Sequence, residues 1–130
     1  MKVDDDVFVH PGNLLKTLES TELLSVRLNN TDIDYALIGK VHNNIRVTRG
    51  EKHKFYLSRS VYPDERYPPY LQGSAYVFTG SLLSPLYSCA LDPRTPLIPF
   101  EDVFITGLCT RQLNLLITPR HKVKMKIYSL

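Results

Sequence analysis

The sequence predicts one mixed α/β domain, and three observations carry that prediction. Apolar runs suited to strands occur at residues 35–41 and 75–78. Leucines and aromatic residues recur at helical spacing around Leu14 to Leu18, Leu82 to Tyr87 and Val103 to Leu108. Segments dense in proline, glycine or charge separate them. A chain of 130 residues suffices for one compact domain. Its apolar and charged fractions, 43% and 22%, are those of an ordinary globular protein. A net charge of +3 is too mild to argue for nucleic acid, and none is expected as a partner. No run of about 18 apolar residues is present, and no signal peptide is visible. Cys89 and Cys109 permit one internal disulfide, and their spacing is no metal motif.

The chain opens on Lys2-Val3, three acids (Asp4, Asp5, Asp6) and Val7-Phe8-Val9. Three adjacent carboxylates repel unless a cation or donors compensate. One reading is the end of a buried strand whose acids project towards a divalent metal, since oxygen-only ligands suit hard cations. The other is a solvated acidic turn. So few residues precede the acids that the chain is expected to begin partway through a larger domain. His10-Pro11-Gly12 signals a turn, after which Asn13 is expected to cap a helix reaching about Leu24. His10 is more simply solvated than a ligand. Asn29-Asn30-Thr31 is a glycosylation sequon.

A strand is expected over 35–41. The basic segment from His42 to Lys54, with Arg46, Arg49, Lys52 and Lys54, reads as a solvated loop that is also able to attract phosphate. Phe55 to Ser58 suggests a short strand. Prolines make 62–70 a stiff, non-helical loop. Its tyrosines, with Tyr56, offer flat faces for sugar rings, for extended peptides or for plain packing. Gln72 to Ala75 reads as a small-residue turn that lets backbone approach a ligand. Leu82, Leu83, Leu86 and Tyr87 give a short helical face, with Pro85 in its first turn. Glu101 and Asp102 fall in the first turn of a further helix, where acids stabilise by about 0.3–1 kcal/mol. Val103, Phe104, Gly107 and Leu108 are expected to pack inward and Arg111 outward. Val123, Met125 and Ile127 alternate with lysines as a half-buried strand, and the chain is expected to be cut at this end too.

Several of these segments, in order, resemble the β-1,3-galactosyltransferase and β-1,3-N-acetylglucosaminyltransferase family. Asp4-Asp5-Asp6-Val7-Phe8-Val9 with Asn13-Leu14-Leu15 is similar to its acidic motif and following helix. Lys54-Phe55-Tyr56-Leu57-Ser58, Tyr62-Pro63 and Tyr67-Pro68-Pro69-Tyr70 resemble its central block. Gly73 through Phe78 is similar to its small-residue turn and strand. Glu101-Asp102-Val103-Phe104 with Gly107-Leu108-Cys109 resembles its catalytic block, and Tyr128-Ser129-Leu130 its late segment.

The resemblance implies a GT-A-like mixed sheet flanked by helices. Residues 1–130 would be the C-terminal half of one catalytic domain, inactive by itself. It implies inverting transfer of galactose or N-acetylglucosamine from a UDP-sugar to a glycan on protein or lipid. Localisation would be the lumenal side of the Golgi membrane, through an N-terminal anchor outside this sequence. Asp6 and Asp4 would hold Mn²⁺ or Mg²⁺, with Asp5, Gly73 and Ser74 on the donor side. Asp102 would be the base, and Glu101, Tyr67 and Tyr70 would hold the acceptor. Leu71 stands where many members have cysteine, and Ala75 where glycine is usual. The competing class is a non-catalytic carbohydrate- or protein-binding descendant.

Overall fold

The computed structural model describes residues 1–20, 26–27, 34–115 and 127–129. Short strands β1 (Lys2–Val3) and β2 (Val7–Val9) flank the acidic turn and lead into helix α1 (Pro11–Ser20). Then come β3 (Val26–Arg27), β4 (Asp34–Tyr35) and β5 (Leu37–His42). A loop separates β5 from the nine-residue β6 (Tyr70–Phe78). Beyond it are a 3₁₀ turn (Gly80–Leu82), α2 (Leu83–Ala90), a helix over 101–112 and β7 (Ile127–Ser129). The sheet is antiparallel in the order β1-β6-β5, and β2 pairs with β7 and β3 with β4. The mixed α/β class is as expected.

The helix over 101–112 is π-helical across Val103–Cys109 and closes with an α-turn, Thr110–Gln112 (α3). Val103, Phe104, Thr106, Gly107, Leu108, Cys109 and Thr110 are all buried, and Arg111 is exposed. A helix covered nearly all round is an interior helix. It divides two apolar clusters. One joins Val47, Leu57, Tyr62, Tyr67 and Ile98 to Val103, Phe104 and Leu108. The other joins Leu82, Leu86 and Cys89 to Cys109 and Leu115. Both thiols are free. Burial, and then the adjacent Cys89, push the Cys109 thiol far above the ordinary range.

Several local expectations are corrected. His10, not Asn13, caps α1: its carbonyl and Nδ1 accept from the Asn13 N–H at 3.1 and 3.3 Å. Pro11 then takes the first helical position, where a missing N–H does no harm. Phe55 to Ser58 is no strand; Tyr56 makes one isolated bridge to Thr48. Tyr70 and Gln72 to Ala75 belong to β6 rather than to a loop and a turn. Of the four residues expected on this helical face, Leu86 and, in the preceding 3₁₀ turn, Leu82 are buried, whereas Leu83 and Tyr87 are exposed at 61% and 65%; the other buried residue of α2 is Cys89. Val3 is exposed, so the acids follow an edge strand and not a buried one. The helix end near Leu24, the sequon and the alternating tail at Val123 and Met125 lie outside the described residues.

Candidate active site

The site is organised by an irregularity in β6. Gly39 pairs with Tyr76 and Val41 with Leu71, so two steps along β5 answer five along β6. The surplus residues, Gln72 to Ala75, bulge from the ladder, and their backbone groups turn to other partners. The Gly73 N–H donates to Asp102 Oδ2 at 3.1 Å. The other carboxylate oxygen caps its own helix, accepting from the Val103 N–H at 2.8 Å. Glycine leaves room for this approach. A Cβ at Gly73 would lie 3.2 Å from Asp102 Oδ2. Thr106 fixes the same junction from below: its hydroxyl accepts from the Leu71 N–H at 2.8 Å and donates to the Asp102 carbonyl at 2.6 Å.

The acidic turn is tied to this junction by Lys2. Its ammonium donates to Asp4 Oδ1 and to the Gly73 carbonyl, and lies 3.5 Å from Glu101 Oε2. Burial lowers the Lys2 pKa, but its hydrogen bond to Asp4 and the nearby Glu101 outweigh that and hold it above the ordinary value. The Asp4 N–H donates to the Ser74 carbonyl at 3.0 Å. Glu101 Oε1 accepts from the Tyr76 hydroxyl. Burial, then that bond, push the Tyr76 phenol well above its ordinary range, so it remains a donor. The structure thus links Asp4, Gly73, Ser74, Glu101 and Asp102. Asp5 and Asp6 lie exposed on the turn. Among the described residues, no three His, Cys, Asp or Glu side chains converge as metal ligands.

On the side facing the proline-rich loop, Asp102 lines a cavity of about 180 Å³ with Arg46, Phe55, Tyr67, Tyr70 and Phe100. That is room for roughly six waters at ~30 Å³ each, the scale of one sugar ring. Tyr67 packs edge-on against Tyr70 and Phe100, at 6.2 and 6.4 Å between centroids. The Tyr67 residue is buried, yet its hydroxyl has no partner among the described residues. An orphaned buried hydroxyl is costly unless a ligand or water meets it. Burial raises the pKa of Tyr67 and of Tyr70, and Asp102 adds to the rise in both. Tyr62 and Tyr56 do not line this cavity, and Tyr62 serves core packing. Neither Asp6 nor Asp4 reaches it.

Lys2, Tyr76, Thr106, Phe100 and Arg46 were not singled out as site residues by sequence. Their roles come from cross-strand register and loop packing. The usable signals were the position of Lys2 beside the acids and that of Arg46 in the basic segment.

The Galactosyltransferase family model matches residues 1–121. The human lactosylceramide 1,3-N-acetyl-beta-D-glucosaminyltransferase is 33% identical over 115 residues, covering 88% of this chain and 28% of that protein. Human beta-1,3-galactosyltransferase 5 is 36% identical over 121 residues, covering 93% of this chain and 35% of that protein. The mouse N-acetyllactosaminide beta-1,3-N-acetylglucosaminyltransferase 4 is 32% identical over 130 residues, covering 100% of this chain and 33% of that protein. The chain therefore spans about a third of the length of the curated relatives it matches. With the family model matched over residues 1–121 of 130, the chain belongs to the galactosyltransferase family.

Proposed function

We propose that residues 1–130 are the C-terminal part of a single GT-A-like catalytic domain. The whole protein would transfer galactose or N-acetylglucosamine from UDP to a sugar hydroxyl with inversion, forming a β-1,3 linkage. Its acceptor would be a glycan on protein or lipid, and its place the lumenal face of the Golgi membrane. One observation carries this reading. The Asp102 carboxylate stands in a sugar-sized aromatic cavity beside an unpartnered buried hydroxyl, and its other flank is joined to the acidic turn.

Asp102 would accept the proton of the attacking hydroxyl. Two backbone N–H groups orient its carboxylate, one per oxygen, and each oxygen keeps a free lone pair. Tyr67 and Tyr70 would hold the acceptor ring, Tyr67 through its unpartnered hydroxyl. Glu101, fixed by Lys2 and Tyr76, would orient the acceptor from the sheet side. Gly73, Ser74 and Asp5 would face the donor.

A hard cation, Mn²⁺ or Mg²⁺, fits the all-carboxylate donors of the turn. Asp6 would bind it directly, and Asp4, already engaged by Lys2, would assist. Bound there, it would neutralise the charge that grows as UDP departs. With no three-ligand cluster among the described residues, most of its shell would be diphosphate oxygen and water.

The second reading, a non-catalytic sugar-binding descendant, draws support from the structural use of both Asp102 oxygens. In the full-length protein, Asp102→Asn is expected to cut turnover by at least about 10²-fold while UDP binding is kept. Near-normal turnover rejects Asp102 as the base. Wild-type protein that binds sugar and UDP but never transfers supports the second reading.

A further inference from the structure

Next to the sugar-sized cavity is a second, open one of about 390 Å³, lined by Arg46, Val47, Arg49, Glu65 and Arg66. Arg46 lines both. The charge here is unbalanced. Arg49 donates to three neutral carbonyls, those of Leu57, Tyr62 and Asp64, at 2.7, 2.9 and 2.7 Å. Arg66 donates to the Asn44 carbonyl at 2.6 Å. None of the three arginines is in an ion pair among the described residues. The one acid in the wall, Glu65, is paired with Arg59 and also feels Arg49 and Arg46, so a single carboxylate faces several guanidinium groups.

Two further observations point to a missing acceptor. Arg49 Nε is buried with no hydrogen-bond partner among the described residues. Arg46 and Arg66 also stand opposite each other in an isolated antiparallel bridge, where like charges destabilise unless something neutralises them. Guanidinium groups are the side chains best shaped to take a carboxylate or sulfate through paired hydrogen bonds.

We infer that Arg46, Arg49 and Arg66 form an anion subsite, and that the acceptor carries a carboxylate or sulfate held there while its neutral ring sits against Tyr67 and Asp102. This rests on the transferase reading for the word acceptor, though not for the binding itself. The donor's diphosphate is the other source of an anion. It is disfavoured because the donor-side residues, Gly73 and Ser74, line neither cavity.

The test is direct binding to the full-length protein, without donor, by saturation-transfer NMR. The probes are methyl β-glucuronide, methyl β-glucoside 6-sulfate and neutral methyl β-glucoside. At least one anionic sugar is expected to bind about 5- to 30-fold more tightly than the neutral one, the range of a charge-assisted contact partly open to water. Arg46→Met is expected to bring it down to the neutral sugar's affinity. Lys16→Gln, an exposed cation on α1, is expected to leave the margin intact. Equal affinities for all three sugars, or a margin that survives Arg46→Met, overturn the inference. So does a UDP affinity that falls by the same factor in Arg46→Met, which would give the subsite to the donor. Because no transfer is measured, loss of turnover in Asp102→Asn leaves this result untouched, and equal sugar affinities leave the transferase reading standing.

Discussion

Replacing Thr106 with valine removes one hydroxyl and little volume from the centre of the protein. That hydroxyl accepts from the Leu71 N–H at 2.8 Å and also donates to the Asp102 carbonyl at 2.6 Å. Thr106 is 0% exposed and Leu71 1%, so water cannot replace it. The Asp102 carbonyl still lies within a helix, whereas the Leu71 N–H sits where β6 leaves the regular ladder. Stranding one buried donor costs about 1–3 kcal/mol. Urea unfolding should show a loss of that size with an unchanged slope. Thr106→Ser keeps the hydroxyl and deletes one methyl, worth about 0.8 kcal/mol, so it should recover most of the loss if about 2 kcal/mol or more was removed. A valine variant as stable as the native protein refutes the stitch between β6 and the helix. A serine variant as unstable as the valine one shows that packing, not the hydroxyl, was at stake.

Gly73→Ala places a methyl 3.2–3.4 Å from the Asp102 carboxylate atoms, so that side chain must yield by a few tenths of an ångström. A misplacement of 1 Å can cost about 10²-fold, so turnover at saturating donor is expected to fall by about 3- to 10-fold; an unaltered rate would mean that the Gly73–Asp102 approach does not set the base's position. Burial raises the pKa of Tyr62, Tyr67, Tyr70 and Tyr76. Their folded values exceed the unfolded one of about 10, so this stability is complete below that pH. It is then lost as pH rises through the folded values, because the unfolded chain releases phenol protons first. The urea midpoint should therefore fall between about pH 9 and pH 11 while native phenolate absorbance lags; a constant midpoint with ordinary phenolate titration would contradict the burial.

What the sequence disclosed was what short-range pattern encodes. Periodicity found the inward face at Val103, Phe104, Gly107 and Leu108, and the strand over 35–41, because burial leaves a local signature. It misjudged α2 because Leu83 and Tyr87 are apolar yet face outward, and apolar residues are not obliged to be inside. It took Gln72 to Ala75 for a turn because small residues mark both turns and bulges. The bulge is visible only once β5 supplies the register. The acids, the tyrosines and the small-residue stretch were legible as candidates, their specific roles came from resemblance, and their connections could not have come from spacing. Lys2 meets Glu101 because β1 pairs with β6, and the helix over 101–112 begins beside the same stretch.

That pairing also answers the first physical objection to the site. Asp4, Glu101 and Asp102 gather around one bulge, and like carboxylates at close range disfavour one another's charge. Lys2 donates to the first and lies beside the second, while the third is turned onto two backbone N–H groups. The acids therefore stand together without needing a metal to hold the fold. A cation recruited to Asp6 on the exposed turn would bring charge for the leaving diphosphate and not for the protein's own carboxylates. Divalent metal should accordingly change turnover without changing the urea midpoint in the absence of UDP. A large metal-dependent gain in stability would show instead that Lys2 is an incomplete counter-charge and that the acidic turn is built around the ion.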